Sequence, residues 1–372
     1  MKKQILSLCF LLLIQIARAQ IKVEDFYRPK DGKDDAPSIQ RAMNYIDSLG
    51  HGTVEFSGTK NYLLDSPIEL PRYSKAGRRI IILNGNGCSI TGKSGNDIFR
   101  RIPADQKEAL DKMMSTRFLI RDFSFQGGKT AINLGASYGS AIENCNFTAP
   151  EDAAIDVQFG LSTSIRHCSV TNPKKDAFVL RCGNDWGGNT NNSQSNHSVI
   201  EMCRVYATKT TESSFKILGS GGVVLRDVIS EGSNEANYSV YFDRLNSTTV
   251  RMFTAENFHL EHAPKIAGIY LNHTGIATID GLFAQLSYKD FPLIMAAAGA
   301  EQITLRNIPH HVDGMVLYSG NNEVPWRLEY CHKSFYQAEN WRVKTAKGCE
   351  SKTPFYFSGI GGKFQIGQKY GK

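Results

Sequence analysis

The sequence predicts an all-β chain wound into a parallel β-helix, with one amphipathic capping helix near its N-terminus. The first observation is a repeat: apolar anchors at Ile120, Ile142, Ile165, Ile200, Leu225, Val250, Ile279 and Leu305 succeed one another at steps of 22, 23, 35, 25, 25, 29 and 26 residues. Around them the pattern is apolar, polar, polar or turn, apolar, as in Ile142-Glu143-Asn144-Cys145, Ile165-Arg166-His167-Cys168, Ile200-Glu201-Met202-Cys203 and Val250-Arg251-Met252-Phe253. The second is a period-two alternation roughly a dozen residues after most anchors, the mark of a strand with one buried face. It runs Ile132/Leu134, Ile155/Val157, Phe178/Leu180, Phe215/Ile217, Val240/Phe242, Ile269/Leu271 and Met315/Leu317. The third is that no repeat carries an amphipathic helix, which sets leucine-rich and ankyrin solenoids aside.

In such a fold like residues stack from coil to coil. Cys145, Cys168 and Cys203 share one register, so they are expected in a single interior column as small hydrophobes. Of eight cysteines, Cys9 lies in the leader segment described next. The odd remainder argues against a complete disulfide framework, with Cys331 and Cys349 the best candidates for one bridge. The absence of any C-x-x-C pair disfavours zinc.

In chain order, Lys2 and Lys3 precede an apolar run from Ile5 to Ile16, then Ala17-Arg18-Ala19. This reads as residues 1–19 forming a secretory signal, and a secreted or periplasmic location is expected. A lipoprotein reading through Cys9 is weaker, since that residue precedes most of the apolar run. No other stretch is long enough to span a bilayer. The formal charge of +7 becomes +4 without Lys2, Lys3 and Arg18 (7 − 3). That permits an anionic partner, while the lack of a Lys/Arg run excludes an ordinary nucleic-acid binder. Neither charge nor composition fixes an oligomeric state.

Residues 20–70 form the head module. Asp34 and Asp35 can cap a helix, Pro37 suits its first turn, Ile39, Ala42, Met43 and Ile46 share a face, and Gly50 stops it. Such a helix can cover the open end of a solenoid. Short strands are expected at Thr53 to Phe56, Tyr62 to Leu64, Ile80 to Leu83 and around Ile98. The coils should occupy 71–320, and the aromatic-rich tail, 321–372, should fold back over the last coil.

Val23, Asp25, Phe26, Asp31-Gly32, Asp34-Asp35, Ile39-Gln40, Ala42, Gly50, Gly52-Thr53-Val54, Phe56, Gly58-Thr59 and Tyr62-Leu63 together resemble the N-terminal signature of the pectate-lyase-like right-handed β-helix superfamily. Tyr27-Arg28 replaces the usual Gly-Ala, and the Asp-Gly to Asp-Asp spacing is one residue short. The resemblance implies a right-handed helix and a protein that acts on polysaccharides, as lyase, hydrolase, epimerase or tailspike depolymerase. It does not choose among them.

The outward columns bear on function. Between the buried pairs lie Asn133, Asp156, Val179, Lys216, Tyr241 and Tyr270, and just past them Gln158, Arg181, Leu218, Asp243 and Asn272. Rows about 5 Å apart would join these into one patch with a cationic centre. Cleavage of a uronate polymer by β-elimination needs a group to neutralise the carboxylate, a base for the C5 proton and an acid at the leaving oxygen. Lys216, Arg181 and Tyr241 are the expected catalytic set, with Arg181 lowering the Lys216 pKa and Tyr270 stacking on sugar or sharing the proton transfer. Asp243 and Asn272 are expected to bind substrate. In the long step before Ile200, Trp186 offers a stacking platform or else tucks against its own coil, and His197 an acid or base.

Three further groups complete the reading. Asp152, Asp156 and Asp176, with Lys175 and Glu212 nearby, stand at strand starts; Asp152-Ala153-Ala154-Ile155-Asp156 is similar to a polygalacturonase motif, although the paired aspartates and the His-Gly coil of that family are missing. These carboxylates could serve hydrolysis, hold a calcium ion, or be ordinary solvated charges. His259 and Glu261 in Phe258-His259-Leu260-Glu261-His262 could form an acid/base pair or bind metal, though a structural histidine is the better reading. Glu231 and Glu256 are expected to form a polar ladder. The function favoured is lyase action on an acidic, uronate-containing polysaccharide such as a glycosaminoglycan; a hydrolase or a non-catalytic glycan-binding solenoid are the alternatives.

Overall fold

A computed structural model describes residues 20–72, 79–206, 212–232, 235–245, 252–261, 264–285, 291–297, 301–308, 315–319, 326–330, 342–345 and 355–358. Their strands form three sheets of thirteen, eleven and nine strands, here sheets A, C and B. The pairings throughout run parallel, each strand bonding to its counterpart one coil away, as in Ile142↔Ile165 of sheet A and Phe147↔Val170 of sheet B. This is the parallel β-helix that the repeat predicts.

The turn from sheet A to sheet B explains why the coils stay in phase. Asp122, Asn144, His167, Met202, Asp227, Asn257, Gly281, Asn307 and Tyr330 each directly follow a sheet A strand, and all have φ between 49° and 70°. Asn, Asp and Gly tolerate this left-handed conformation best, because a short polar side chain can bond locally and glycine has no Cβ. Some do bond: Asn144 Nδ2 donates to Asp122 Oδ1 at 3.3 Å and Asn257 Nδ2 to Asp227 Oδ1 at 2.6 Å. The bend therefore recurs at the same point of each coil and fixes which residues stack.

Inside, the columns are apolar and buried, including Ile120, Ile142, Ile165, Ile200 and Leu225 on sheet A and Ile132, Ile155, Phe178, Phe215, Val240 and Ile269 on sheet C. Phe178 and Phe215 stack with centroids 5.5 Å apart, as do Phe125 and Phe147 at 5.1 Å. Full burial of each such ring contributes about 1.5–3 kcal/mol. Cys145, Cys168 and Cys203 lie in one buried interior column, their carbonyls accepting from Ser169 N, Arg204 N and Ile229 N of the next coil respectively.

The capping helix spans Ala36–Leu49. Asp34 Oδ1 accepts from Ala36 N at 3.0 Å, and Gly50, at φ 81°, ends it by donating to Ile46 O and Asp47 O. Its buried face, Ile39, Ala42, Met43 and Ile46, belongs to the same core as the coils. Strands Gly52–Glu55, Asn61–Leu64 and Ile68–Glu69 already pair with the next coil, so the solenoid starts inside residues 20–70. At the other end, Trp326–Glu329 and Phe355–Ser358 extend sheet A, and Arg342–Thr345 extends sheet C. The described parts of the tail are further rungs rather than a folded-back cover.

Two registers differ from expectation. Leu225 pairs with Ala255, not with Val250, which lies outside the described residues. The Val250-Arg251-Met252-Phe253 pattern imitates an anchor, but Phe253 and Ala255 are the buried pair and Met252 is exposed. As a result Glu256 stacks on Arg226 in sheet A while Glu231 pairs with Tyr206 in sheet B, so the two do not form a ladder. A different ladder exists on sheet A: Arg166, Glu201, Arg226 and Glu256 alternate in sign on successive coils, with contacts of 3.1, 3.3 and 2.6 Å. Second, the alternation skips a coil between Ile269 and Met315, since strand Phe291–Ala296 intervenes with Ile294 beside Ile269. Cys331 and Cys349 lie outside the described residues.

Burial pushes the Cys88 thiol up to about 12 and also raises Cys145 and Cys203. Because all five are buried away from reagent and the thiolate is the reactive form, Cys88, Cys145, Cys168, Cys182 and Cys203 should resist a thiol reagent in the native protein and all label in denaturant. Mass-spectrometric mapping of the labelled sites checks this.

Candidate functional site

The outer face of sheet C carries both expected columns in register. Asn133, Asp156, Val179, Lys216, Tyr241 and Tyr270 are successive Cα partners, and so are Gln158, Arg181, Leu218, Asp243 and Asn272. Their side chains, however, turn towards different partners.

The cationic centre is neutralised from within. Arg181 Nε donates to Asp156 Oδ1 and Oδ2 at 2.9 and 3.0 Å, and its terminal nitrogens to Asp156 Oδ2, Asp185 Oδ1, Asp185 Oδ2 and Asn184 Oδ1. Burial works to lower the Arg181 pKa, but Asp185 and Asp156 more than offset it, so its charge is firmly kept; Arg181 in turn holds Asp185 below the usual carboxylate range. Burial raises Asp156 in spite of Arg181. Lys216 Nζ leans back to Asp176 Oδ2 at 3.1 Å, while Asp176 Oδ1 accepts from Ser213 N and Oγ. Arg181, committed to two carboxylates, is thus not the free cation expected to tune Lys216.

The excursion after Arg181 is pinned by a helical segment that the sequence did not announce, Gln106–Met113. Gln106 Nε2 donates to Asn192 O at 2.9 Å, and Trp186 Nε1 to Gln106 Oε1 at 3.4 Å. Trp186 is only 6% exposed and packs with Ala109, Met113, Ala136 and Phe159 in a small second core. It is a packing residue here rather than an open stacking platform. Beneath, Arg101 is fully buried and donates to the carbonyls of Pro71, Arg72, Met113, Gly135 and Ala136, tying this segment to the coils. Burial lowers the Arg101 pKa to about 9, which leaves it protonated at neutral pH. His197 is not in the patch. It is exposed on the turn leading into sheet A, at φ 51°, in the column of Gly139, Ser162 and Gly222.

Two coils further on is a different kind of site. The rings of Tyr241 and Tyr270 stack at 5.1 Å with 9° between planes, and Tyr238 lies 5.1 Å from each. One face of Tyr270 is therefore occupied by Tyr241. Burial, then the charge of Asp243, raises the Tyr241 pKa, and burial first raises Tyr238 and Tyr270. These hydroxyls keep their protons at neutral pH. Asp243 is 6% exposed and accepts from Tyr241 Oη at 3.2 Å, Asn272 Nδ2 at 3.0 Å and Leu245 N at 2.7 Å. His273 Nδ1 lies 3.1 Å from Asp243 Oδ1. Asp243 is thus a buried organiser rather than a direct sugar ligand. Asn272 Oδ1 has no hydrogen-bond partner among the described residues. Tyr238 and His273 escaped the sequence reading. Tyr238 starts a strand; His273, at φ 51°, directly follows the predicted column residue Asn272, and that position was the available signal.

The carboxylates do not converge as calcium ligands would. Asp152 pairs with Lys129 and Lys175, Asp156 with Arg181, and Asp176 with Lys216, and no set of three His, Cys, Asp or Glu side chains with metal-binding geometry occurs among the described residues. His259 and Glu261 stand on sheet B, away from the patch, with Nε2 3.0 Å from Oε1 and the His259 ring edge-on to Phe283 at 4.6 Å. His262 lies outside the described residues. No helix among the described residues is long and apolar enough to cross a membrane.

No protein-family model matches the chain, and no curated protein matches it. Solved structures with the same fold do. The A-module of mannuronan C-5 epimerase AlgE4 of Azotobacter vinelandii superposes with a TM-score of 0.57 at 14% identity, covering 91% of each chain. The tailspike protein of E. coli bacteriophage HK620, solved in complex with a pentasaccharide, gives 0.55 at 12% identity over 91% of this chain and 65% of that one. PfbA, a surface adhesin of Streptococcus pneumoniae, gives 0.51 at 12% identity over 92% and 91%. At such identities the shared feature is the right-handed parallel β-helix itself.

Replacing Arg181 by Ala would leave Asp156 buried without its cation, and should cost about 3–5 kcal/mol of stability in denaturant titration. Replacing Asp156 as well should restore part of it.

Proposed function

We propose that the chain acts outside the cytoplasm, binds an acidic polysaccharide along the outer face of sheet C and cleaves it by β-elimination. The observation that carries the reading is the succession of Lys216, Tyr241 and Tyr270 on three consecutive rungs. Lys216, 22% exposed at its side chain and steadied by Asp176, supplies positive charge for a uronate carboxylate. Tyr241, whose hydroxyl keeps its proton, supplies a donor for the leaving oxygen, and Tyr270 borders the same surface. This gives Lys216 the task of charge neutralisation rather than proton abstraction. The known polysaccharide link of the AlgE4 module and the pentasaccharide bound by the tailspike support a glycan as partner.

A binding-only reading has its own support, because Arg181 and Lys216 are both ion-paired and one protein of the same fold is an adhesin. Hydrolysis would need two carboxylates facing the sugar, whereas Asp156 and Asp176 are buried against their cations.

Purified protein incubated with a panel of uronate polymers, glycosaminoglycans included, decides among these. Rising ultraviolet absorbance from an unsaturated product is expected; reducing ends without that absorbance mean hydrolysis, and retention without products means binding alone. Lys216→Ala should lower turnover at least about 100-fold, with its melting curve showing that the fold survives.

A further inference from the structure

We propose that His273 is the base that takes the C5 proton, an assignment that rests on the β-elimination reading above. The sequence-derived set contains no free base: Arg181 is enclosed by Asp156 and Asp185, Lys216 is bonded to Asp176, His197 lies on another side of the coil, and the Tyr241 and Tyr270 hydroxyls hold their protons.

His273 has the arrangement that proton transfer needs. Its Nδ1 faces Asp243 Oδ1 at 3.1 Å, and the ring is partly open, at 20% side-chain exposure. A carboxylate at Nδ1 fixes the tautomer with the proton on that nitrogen, which leaves Nε2 as the acceptor. Asp243 cannot swing away, since Leu245 N, Asn272 Nδ2 and Tyr241 Oη also bond to it. The same carboxylate therefore positions the base on one oxygen and the hydroxyl donor on the other. Asn272 Oδ1, which has no hydrogen-bond partner among the described residues, is an acceptor left over for a sugar hydroxyl.

The step balances without any co-reactant. Nε2 of His273 takes the proton from C5, and the C–H electron pair becomes the second bond between C4 and C5. The C4–O4 bond breaks, its pair stays on O4, and O4 takes the proton of Tyr241. The imidazolium then loses a proton to solvent and the phenolate regains one. Asp243 is a positioning residue in this scheme, while Asn272 serves substrate binding as the sequence reading expected.

His273→Asn tests the assignment, because its amide can still donate to Asp243 while the Nε2 acceptor is removed. On the polymer that the wild-type protein cleaves, kcat should fall by about 10²–10⁴-fold, with KM within about twofold and an unchanged melting temperature. His273→Gly should regain part of its rate when imidazole is added. Turnover within about tenfold of wild type in His273→Asn overturns the assignment and leaves the lyase reading standing. A wild-type protein inert on the whole uronate panel overturns the lyase reading and this base with it.

Discussion

In-phase stacking of the coils is the constraint on which everything else rests. A parallel ladder bonds each strand to its counterpart in the neighbouring coils, so a slip of one residue would turn every outward side chain inward. The left-handed residues after each sheet A strand, from Asp122 to Tyr330, hold the bend at one point of the coil while the excursions elsewhere vary in length. Long insertions, such as the one between Arg181 and Ser198, then leave the register undisturbed: Arg166 still meets Glu201 and Arg181 still meets Leu218. A surface assembled from Lys216, Tyr241 and Tyr270 exists only because those rungs hold their phase.

The same principle explains how much of the molecule was legible in the sequence. Apolar period two revealed the sheet C columns, and every residue placed in them between Asn133 and Asn272 stands there. Reading failed where one coil imitated the pattern by chance, at Val250, and where the coil of Phe291–Ala296 was passed over. Partners were less legible than positions. That Arg181 is claimed by Asp185 depends on the path of an irregular loop, and that Trp186 is buried depends on the helical segment Gln106–Met113, which carries no repeat signal. His273 was invisible for a related reason: it lies one residue beyond the strand, on a left-handed turn that alternation does not describe.

Charge on the candidate surface is therefore a matter of pairs. Asp156 and Arg181, with the exposed Asp185, form one ion-paired group, and buried Asp176 with half-buried Lys216 another. Burying the Asp156 and Asp176 carboxylates costs desolvation, which their ion pairs and hydrogen bonds offset. They rigidify the sheet beside the tyrosines, which gives Arg181 and Asp156 a supporting role. The groups proposed to handle protons lie on the rungs beyond, around Asp243, where hydroxyl, amide and imidazole converge on one carboxylate.

The most direct measurement is a crystal structure of the protein with a uronate oligosaccharide bound. The sugar chain is expected on the outer face of sheet C, with a carboxylate near Lys216 Nζ and the ring beside it close to Tyr241 and His273. Density for the sugar on sheet A or sheet B, with the Tyr241, Asp243 and His273 surface empty, would contradict it.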